Sequence, residues 1–337
     1  MDIFALTRRL IEIPSITGEE AQVGSYLLSY LRELGYSVET QQVDTDRFNL
    51  IAKTDVSPSI VLSTHMDTVP PFIPFREDNE NIYGRGACDA KGIIASQIFA
   101  TEKLRAAGIN EVGLLFTVDE EMASLGAQRA NDHPTASNCQ YLINGEPTDN
   151  RLAAGTKGSL RVRITANGQA AHSAYPEQGE SAIEKLLDVL ERIRDCDWPT
   201  DEVFGETTCN IGVISGGTRP NVIAAEAQAE LQIRLVTRAE PVKAMLDAAA
   251  ASRARIDYLS AHDPVRLHTI DQFEQCVVRF TTDIPYLSRW GKPLLIGPGS
   301  ILNAHTEHEQ ISKRELLRAV DLYVQLVHVL AADMRIL

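Results

Sequence analysis

The sequence is poor in cysteine, in basic charge and in long apolar runs. Its five cysteines stand apart at 88, 139, 196, 209 and 276, an odd number with no CxxC pair. That excludes a disulfide framework and a cysteine-rich zinc site, and it predicts reduced thiols in a cytoplasmic protein. Lysine and arginine total 32 against 46 aspartates and glutamates, a formal net charge of −14. Such a balance argues against nucleic acid or an anionic membrane as a partner. No apolar stretch approaches the roughly 20 residues that span a bilayer. The opening "MDIFALTRRLIEIPS" has no basic segment leading into an apolar one, so neither a signal peptide nor a transit peptide is expected.

What is there suits a globular enzyme. The 337 residues exceed one ordinary core and predict two domains. Helical spacing runs over 3–12 and 19–34, and Gly35 is a natural stop. "SVETQQV", "NLIAKTD", "SIVLSTHMD", "EVGLLFTVDEE" and "CQYLINGEP" read as strands, with a helix over "KGIIASQIFATEKLRAAG". Strands with continuous apolar runs that alternate with helices imply an α/β fold, a mostly parallel sheet with helices on both faces.

Beyond Gly155 the pattern changes. "KGSLRVRITANG" alternates, and helices follow at 181–196 and near 241–252 among three further strands. The order β-α-β-β-α-β predicts an inserted ferredoxin-like α+β layer. From about Pro264 the chain resembles the first part again and ends in an apolar helix over 313–330, with His328 expected in the core. The expected domains are therefore 1–156 with 264–337, and an inserted 157–263.

Acids and histidines sit where the strands of the first domain end. They are His65 with Asp67, Asp89 in "YGRGACDAKG", Glu120 and Glu121 in "FTVDEE", Glu146 in "INGEP", and His305 in "GPGSILNAHTEHE". Sites in open parallel sheets form beyond the carboxyl ends of strands, so these side chains can converge. Residues i and i+2 of a strand share a side, which pairs His65 with Asp67. Imidazole nitrogen and carboxylate oxygen suit zinc and its neighbours. The adjacent Glu120 and Glu121 offer one ligand and one uncoordinated base. Each signal has a plain structural explanation: a strand-end HxD pair, an N-capping Asp89, a solvated acidic pair. The GxxxxGK[ST] spacing of a phosphate loop is absent from "GRGACDAKG". The ordered set favours a metal site.

The stretches "STHMDTVP", "YGRGACDAKGIIA", "FTVDEE", "INGEPT", "GQAAHSAYPEQGESAI", "GVISGGTRPNVIAAEAQAELQIR" and "GPGSILNAHTEHEQI" resemble the di-zinc amidohydrolases and peptidases. That family includes acetylornithine deacetylase, succinyl-diaminopimelate desuccinylase, aminoacylase and glutamate carboxypeptidase. The resemblance implies two divalent metal ions, zinc or else cobalt, in a zinc-peptidase-like domain. His65, Asp89 and Glu146 would bind one ion, and Asp89, Glu121 and His305 the other. Glu120 would be the general base, and Asp67 would orient His65. It also implies a cis peptide at Asp89–Ala90. His172 in "AAHSAYP" would steady the oxyanion in a partner subunit's site, which implies a homodimer paired through the inserted lid/dimerisation domain. Arg219 and Asn221 would bind a substrate carboxylate. The expected substrate is a small N-acyl amino acid or dipeptide, with N-acetyl-L-ornithine, acetylcitrulline or acetyl-lysine first. A desuccinylase, a dipeptidase, a single-metal enzyme and a non-catalytic ligand-binding relative are the alternatives. Two features depart from the family pattern: Glu146 stands where many members carry aspartate, and the chain is short.

Overall fold

A computed structural model describes residues 1–336, with side chains through Met334. It forms two compact units. The first comprises 1–154, 267–276 and 282–337, and the second 155–266 with 277–281.

The first unit is built on a six-stranded sheet. Its spatial order is Ser37–Asp44, Arg47–Lys53, Val112–Thr117, Ile60–His65, Tyr141–Asn144, Lys292–Leu295. The last four run parallel, and the first two form an antiparallel hairpin on one edge. Every residue of the two central strands Ile60–His65 and Val112–Thr117 is buried. That is why their sequences are continuous apolar runs rather than alternating ones. Side chains still alternate between two faces. Leu62, Leu114, Phe116 and Ile143 face a core shared with helices Ile3–Glu12, Lys91–Ala106 and Lys313–Ile336. Ile51, Val61, Leu115 and Leu142 face a second core closed by Leu287 and the fully buried Trp290, whose Nε1 donates to the Ala130 carbonyl at 3.1 Å.

His328 is exposed, not packed in the core. Leu326, Val327 and Leu330 take the inward stripe of the last helix, and the step of about 100° from Val327 leaves His328 outside it. The strand Lys292–Leu295 follows the short run "KPLL", too brief for periodicity to reveal.

In the second unit the strands Gly158–Asn167, Thr208–Gly216, Glu226–Leu235 and Arg255–His262 form an antiparallel sheet. Helices Ala182–Arg194 and Ala239–Ala250 cover one face through Leu186, Val189, Ile193, Val242 and Leu246. Chain order is β-α-β-β-α-β. Thr208–Gly216 is an edge strand whose Val213 and Ile214 are exposed. Residues 155–156 join this unit with 265–266 through pairing of Gly155 with Arg266 and Thr156 with Val265.

Candidate metal centre

Each candidate ligand of the first unit sits just past a sheet strand or in a loop tied to one. His65 is the last residue of Ile60–His65. Its Nδ1 lies 3.0 Å from the Asp67 carbonyl oxygen and 3.5 Å from the Asp67 carboxylate, while Nε2 lies 3.0 Å from Asp89 Oδ1. The backbone carbonyl is thus the nearer partner that fixes the ring's tautomer. The Asp67 carboxylate accepts the backbone N–H groups of Glu120 and Glu121, both at 3.2 Å, and the Thr17 hydroxyl at 2.9 Å. It fixes the position of the acidic pair.

The pair is held from behind as well. Asp119 has φ 72°, in the left-handed region. Its carboxylate accepts from Ala123 and Leu125 N–H and from Arg47, which also forks onto Glu20. These bonds turn the chain sharply after Val112–Thr117, so Glu120 and Glu121 leave the sheet together. Asp89 follows the turn at Gly86, whose φ is 88° and whose Cβ would lie 2.7 Å from the Lys91 side chain; glycine meets both demands. The Asp89–Ala90 peptide is cis.

His305, with φ 62°, closes the cluster. Its Nε2 lies 3.0 Å from Glu121 Oε1 and 3.3 Å from Asp89 Oδ2. One ligand atom each from His65, Asp89 and Glu121 fall within 4.8 Å of one another. Glu146, two residues past Tyr141–Asn144, is buried, and among the described residues its Oε1 has no hydrogen-bond partner.

The electrostatics call for a cation. Burial works to raise the Asp89 carboxyl, and hydrogen bonds with His305 and His65 outweigh it, holding the group below the usual carboxylate range. Bonds to Asp89 and Glu121 push the His305 imidazole up to about 10. Burial opposes a proton on His65, yet its bonds to Asp67 and Asp89 and the charges of Glu146 and Glu120 carry its pKa well above the ordinary range. Burial pushes Glu120 and Glu146 far up, and each raises the other or is raised by a neighbouring carboxylate. Buried carboxylates outnumber the two imidazoles, and charge without a counterpart is costly there. A divalent cation removes that cost, and Glu146 Oε1 supplies a lone pair that no other group among the described residues takes up. The nitrogen and oxygen donors fit zinc, cobalt or manganese.

Asp283 was not legible in the sequence. It is buried, its Oδ2 accepts the Thr117 hydroxyl at 2.8 Å, and its charge acts on Glu120 and Glu146. "TTDIPY" carries no spacing that marks it. The Glu20–Arg47–Asp119 link was equally hidden, since Glu20 lies at the head of an apparently surface helix.

His172, Arg219 and Asn221 belong to the second unit. All three are exposed. The loops bearing them are tied together: His172 bridges to Val222, and Ser173 N–H donates to the Asn221 carbonyl at 3.1 Å. A cavity of about 640 Å³ lies alongside, lined by Ser173, Pro176, Gly216, Gly217, Thr218 and Arg219 among others.

The signature of the group described as peptidase family M20/M25/M40 matches residues 61–329. The chain belongs to that family. An M20 domain-containing peptidase-family protein of Schizosaccharomyces pombe is 37% identical over 97% of this chain and 84% of its own length. A probable carboxypeptidase of Aspergillus niger is 38% identical over 95% of this chain and 88% of its own. A Bacillus subtilis structure, described as a dinuclear metal binding peptidase from the M20 family, shares the fold with a TM-score of 0.71 at 14% identity, covering 97% of both chains. As an M20 member the chain is a hydrolase of amide bonds. Among the described residues no helix is long and apolar enough to cross a membrane.

Proposed function

We propose that this chain is a metal-dependent hydrolase that cleaves the amide bond preceding an amino acid with a free carboxylate, as a carboxypeptidase or an N-acyl-amino-acid amidohydrolase. One observation carries the reading: the meeting of His65, Asp89 and Glu121 within 4.8 Å, with their charges acting on a buried Glu146 whose Oε1 has no hydrogen-bond partner among the described residues. His65, Asp89 and Glu146 would hold one divalent ion, and Asp89, Glu121 and His305 would hold the other. Zinc is the favoured occupant and cobalt a working substitute. Such ions supply Lewis acidity and bring the pKa of a water toward neutrality.

The rest would be done by side chains. Glu120 would take a proton from the attacking water as its oxygen bonds the carbonyl carbon, and would return that proton to the leaving nitrogen as the C–N bond breaks. Asp67 keeps Glu120 in place through the two backbone N–H groups it accepts. His172 donates to the developing oxyanion in a partner subunit's site, and Arg219 with Asn221 recognises the free carboxylate. The exposed apolar edge strand Thr208–Gly216 supports pairing of two copies through the second unit.

The carboxypeptidase names of relatives favour peptides as substrates, and five unpaired cysteines favour the cytoplasm. N-acetyl-L-ornithine, expected from the resemblance, stays within the same chemistry as a narrower candidate, and a succinylated amino acid or a dipeptide does too. The test is a substrate panel on zinc-loaded protein: peptides with free or amidated C-termini, N-acetyl and N-succinyl amino acids, each with and without chelator. The expected result is release of the C-terminal amino acid, at least tenfold slower from amidated peptides and lost on chelation. Equal rates on amidated substrates, or chelator-indifferent turnover, contradict the proposal.

A further inference from the structure

Arg85 and Glu309 form a buried ion pair outside the ligand set. Arg85 is 2% exposed and Glu309 is 1% exposed. Arg85 Nη1 donates to Glu309 Oε2 at 2.6 Å and to the Thr306 carbonyl at 3.2 Å, and Nε donates to the Pro71 carbonyl at 3.2 Å. Glu309 Oε1 has a different task. It accepts the backbone N–H groups of Cys88 and Asp89, both at 3.2 Å.

The two segments so joined each deliver a candidate ligand. Asp89 lies on one, and His305 lies four residues before Glu309 on the other. They are also paired as strands on either side of the junction, Ile82 with Ile311 and Tyr83 with Gln310. That pairing fixes their relative height but leaves the turn over 84–90 to be set. Gly299 packs against Cys88 so closely that a Cβ there would lie 2.6 Å away, so the turn has no slack on that side.

We infer that Glu309 is a positioning residue: its carboxylate oxygen holds the Asp89 peptide so that the Asp89 side chain reaches His65 and His305 at once, and Arg85 serves to hold that carboxylate. Arg85 neutralises Glu309 and bonds both flanking loops, while Glu309 sets the angle at which Asp89 enters the cluster. A residue that fixes the orientation of a ligand in this manner commonly governs metal affinity by 10- to 100-fold.

The inference rests on the metal-centre reading above, and the experiment separates the two. Glu309→Ala would strand a buried guanidinium, which by itself can prevent folding. The comparison is therefore between R85M/E309Q and R85M/E309M. Both lack the ion pair and keep similar bulk, and a buried pair replaced by apolar groups often folds well. They differ in whether an oxygen remains to accept the two N–H groups. Zinc affinity is measured by competition with a chromophoric chelator, and the site is watched through the visible spectrum of the cobalt-loaded protein. Both variants lose what Arg85 supplies, so the expected result is a difference between them: R85M/E309Q keeps a parent-like cobalt spectrum, and R85M/E309M binds zinc about 10- to 100-fold more weakly than R85M/E309Q, with an altered spectrum. Equal affinities and spectra for the two variants overturn the role of Glu309. Failure of the parent chain itself to bind zinc overturns the metal-centre reading instead. A purely structural role would lower the melting temperature of R85M/E309M while leaving zinc affinity unchanged, and that outcome also refutes the inference.

Discussion

Replacing Glu120 with glutamine isolates the proton-transfer role from the rest of the centre. Glutamine matches the shape and keeps the backbone N–H that Asp67 accepts at 3.2 Å. It removes the only property the proposal needs, a carboxylate that takes up a proton. General-base catalysis is worth about 10²–10⁴ in rate, or roughly 3–5 kcal/mol of barrier. Initial rates on a peptide substrate should fall by that factor. Zinc content by atomic emission should stay at the parental value. The stabilisation by zinc should stay too, about 2.7 kcal/mol when free zinc exceeds its Kd 100-fold.

The metal-free protein gives a second readout of opposite sign. Burial, with Glu146 adding to it, raises the Glu120 carboxyl well above its ordinary 4.5. Between that value and the raised one, the folded chain holds a proton that the unfolded chain has released. Stability therefore falls as pH climbs through the interval. Glutamine does not titrate, so metal-free Glu120→Gln should be the more stable protein at pH 7 although it is the worse catalyst. Urea melts at pH 4 and pH 7 measure this. A turnover within threefold of the parent, or loss of zinc from the variant, would refute the reasoning.

Three further outcomes are expected. His172→Ala should lower kcat by about 10²–10³ while zinc content and sedimentation mass stay unchanged, since the residue contributes a donor and no ligand; unaltered kinetics rule the role out. Trp290→Ala should cost about 3–5 kcal/mol in urea melts, because the side chain is wholly buried against Leu287 and Leu142, whereas Trp290→Phe, losing chiefly the bond to Ala130, should cost about 1–3 kcal/mol. Burial raises Asp283 from 3.8 to about 6 against its bonds to Thr117 and Ser124, so the metal-free parent should lose more stability as pH rises from about 4 to about 6 than Asp283→Asn, in which Glu120 and Glu146 still titrate; parallel curves for the two would exclude it.

The sequence showed most clearly what is contiguous. "HMDTVP" and "DEE" each end an apolar run, and a parallel sheet gathers the ends of its strands at one rim, so their acids and histidine could be grouped before any coordinates, while the set of five candidate ligands came from the resemblance. What lies across the chain was hidden. Arg47 reaches Glu20 and Asp119 over separations of 27 and 72 residues, and Arg85 reaches Glu309 over 224. No local period encodes such contacts. Asp67 was read as the partner of His65 alone, because i and i+2 share a strand face; its bonds to the Glu120 and Glu121 amides depend on a left-handed turn at Asp119 that an aspartate does not announce. His328 was misjudged because an apolar neighbourhood in sequence is not an apolar face on a helix.

The division of the chain has a consequence for its synthesis. The second unit is continuous from 155 to 266 except for the short return at 277–281, whereas the first unit lacks its edge strand Lys292–Leu295 and the imidazole at 305 until long after the other ligands have been made. On a ribosome, therefore, the inserted portion can mature while the sheet of the first unit is still waiting for its last strand. On the proposed reading, a nascent chain that stops short of His305 would lack one of the candidate cation ligands, and hydrolysis would have to wait for it.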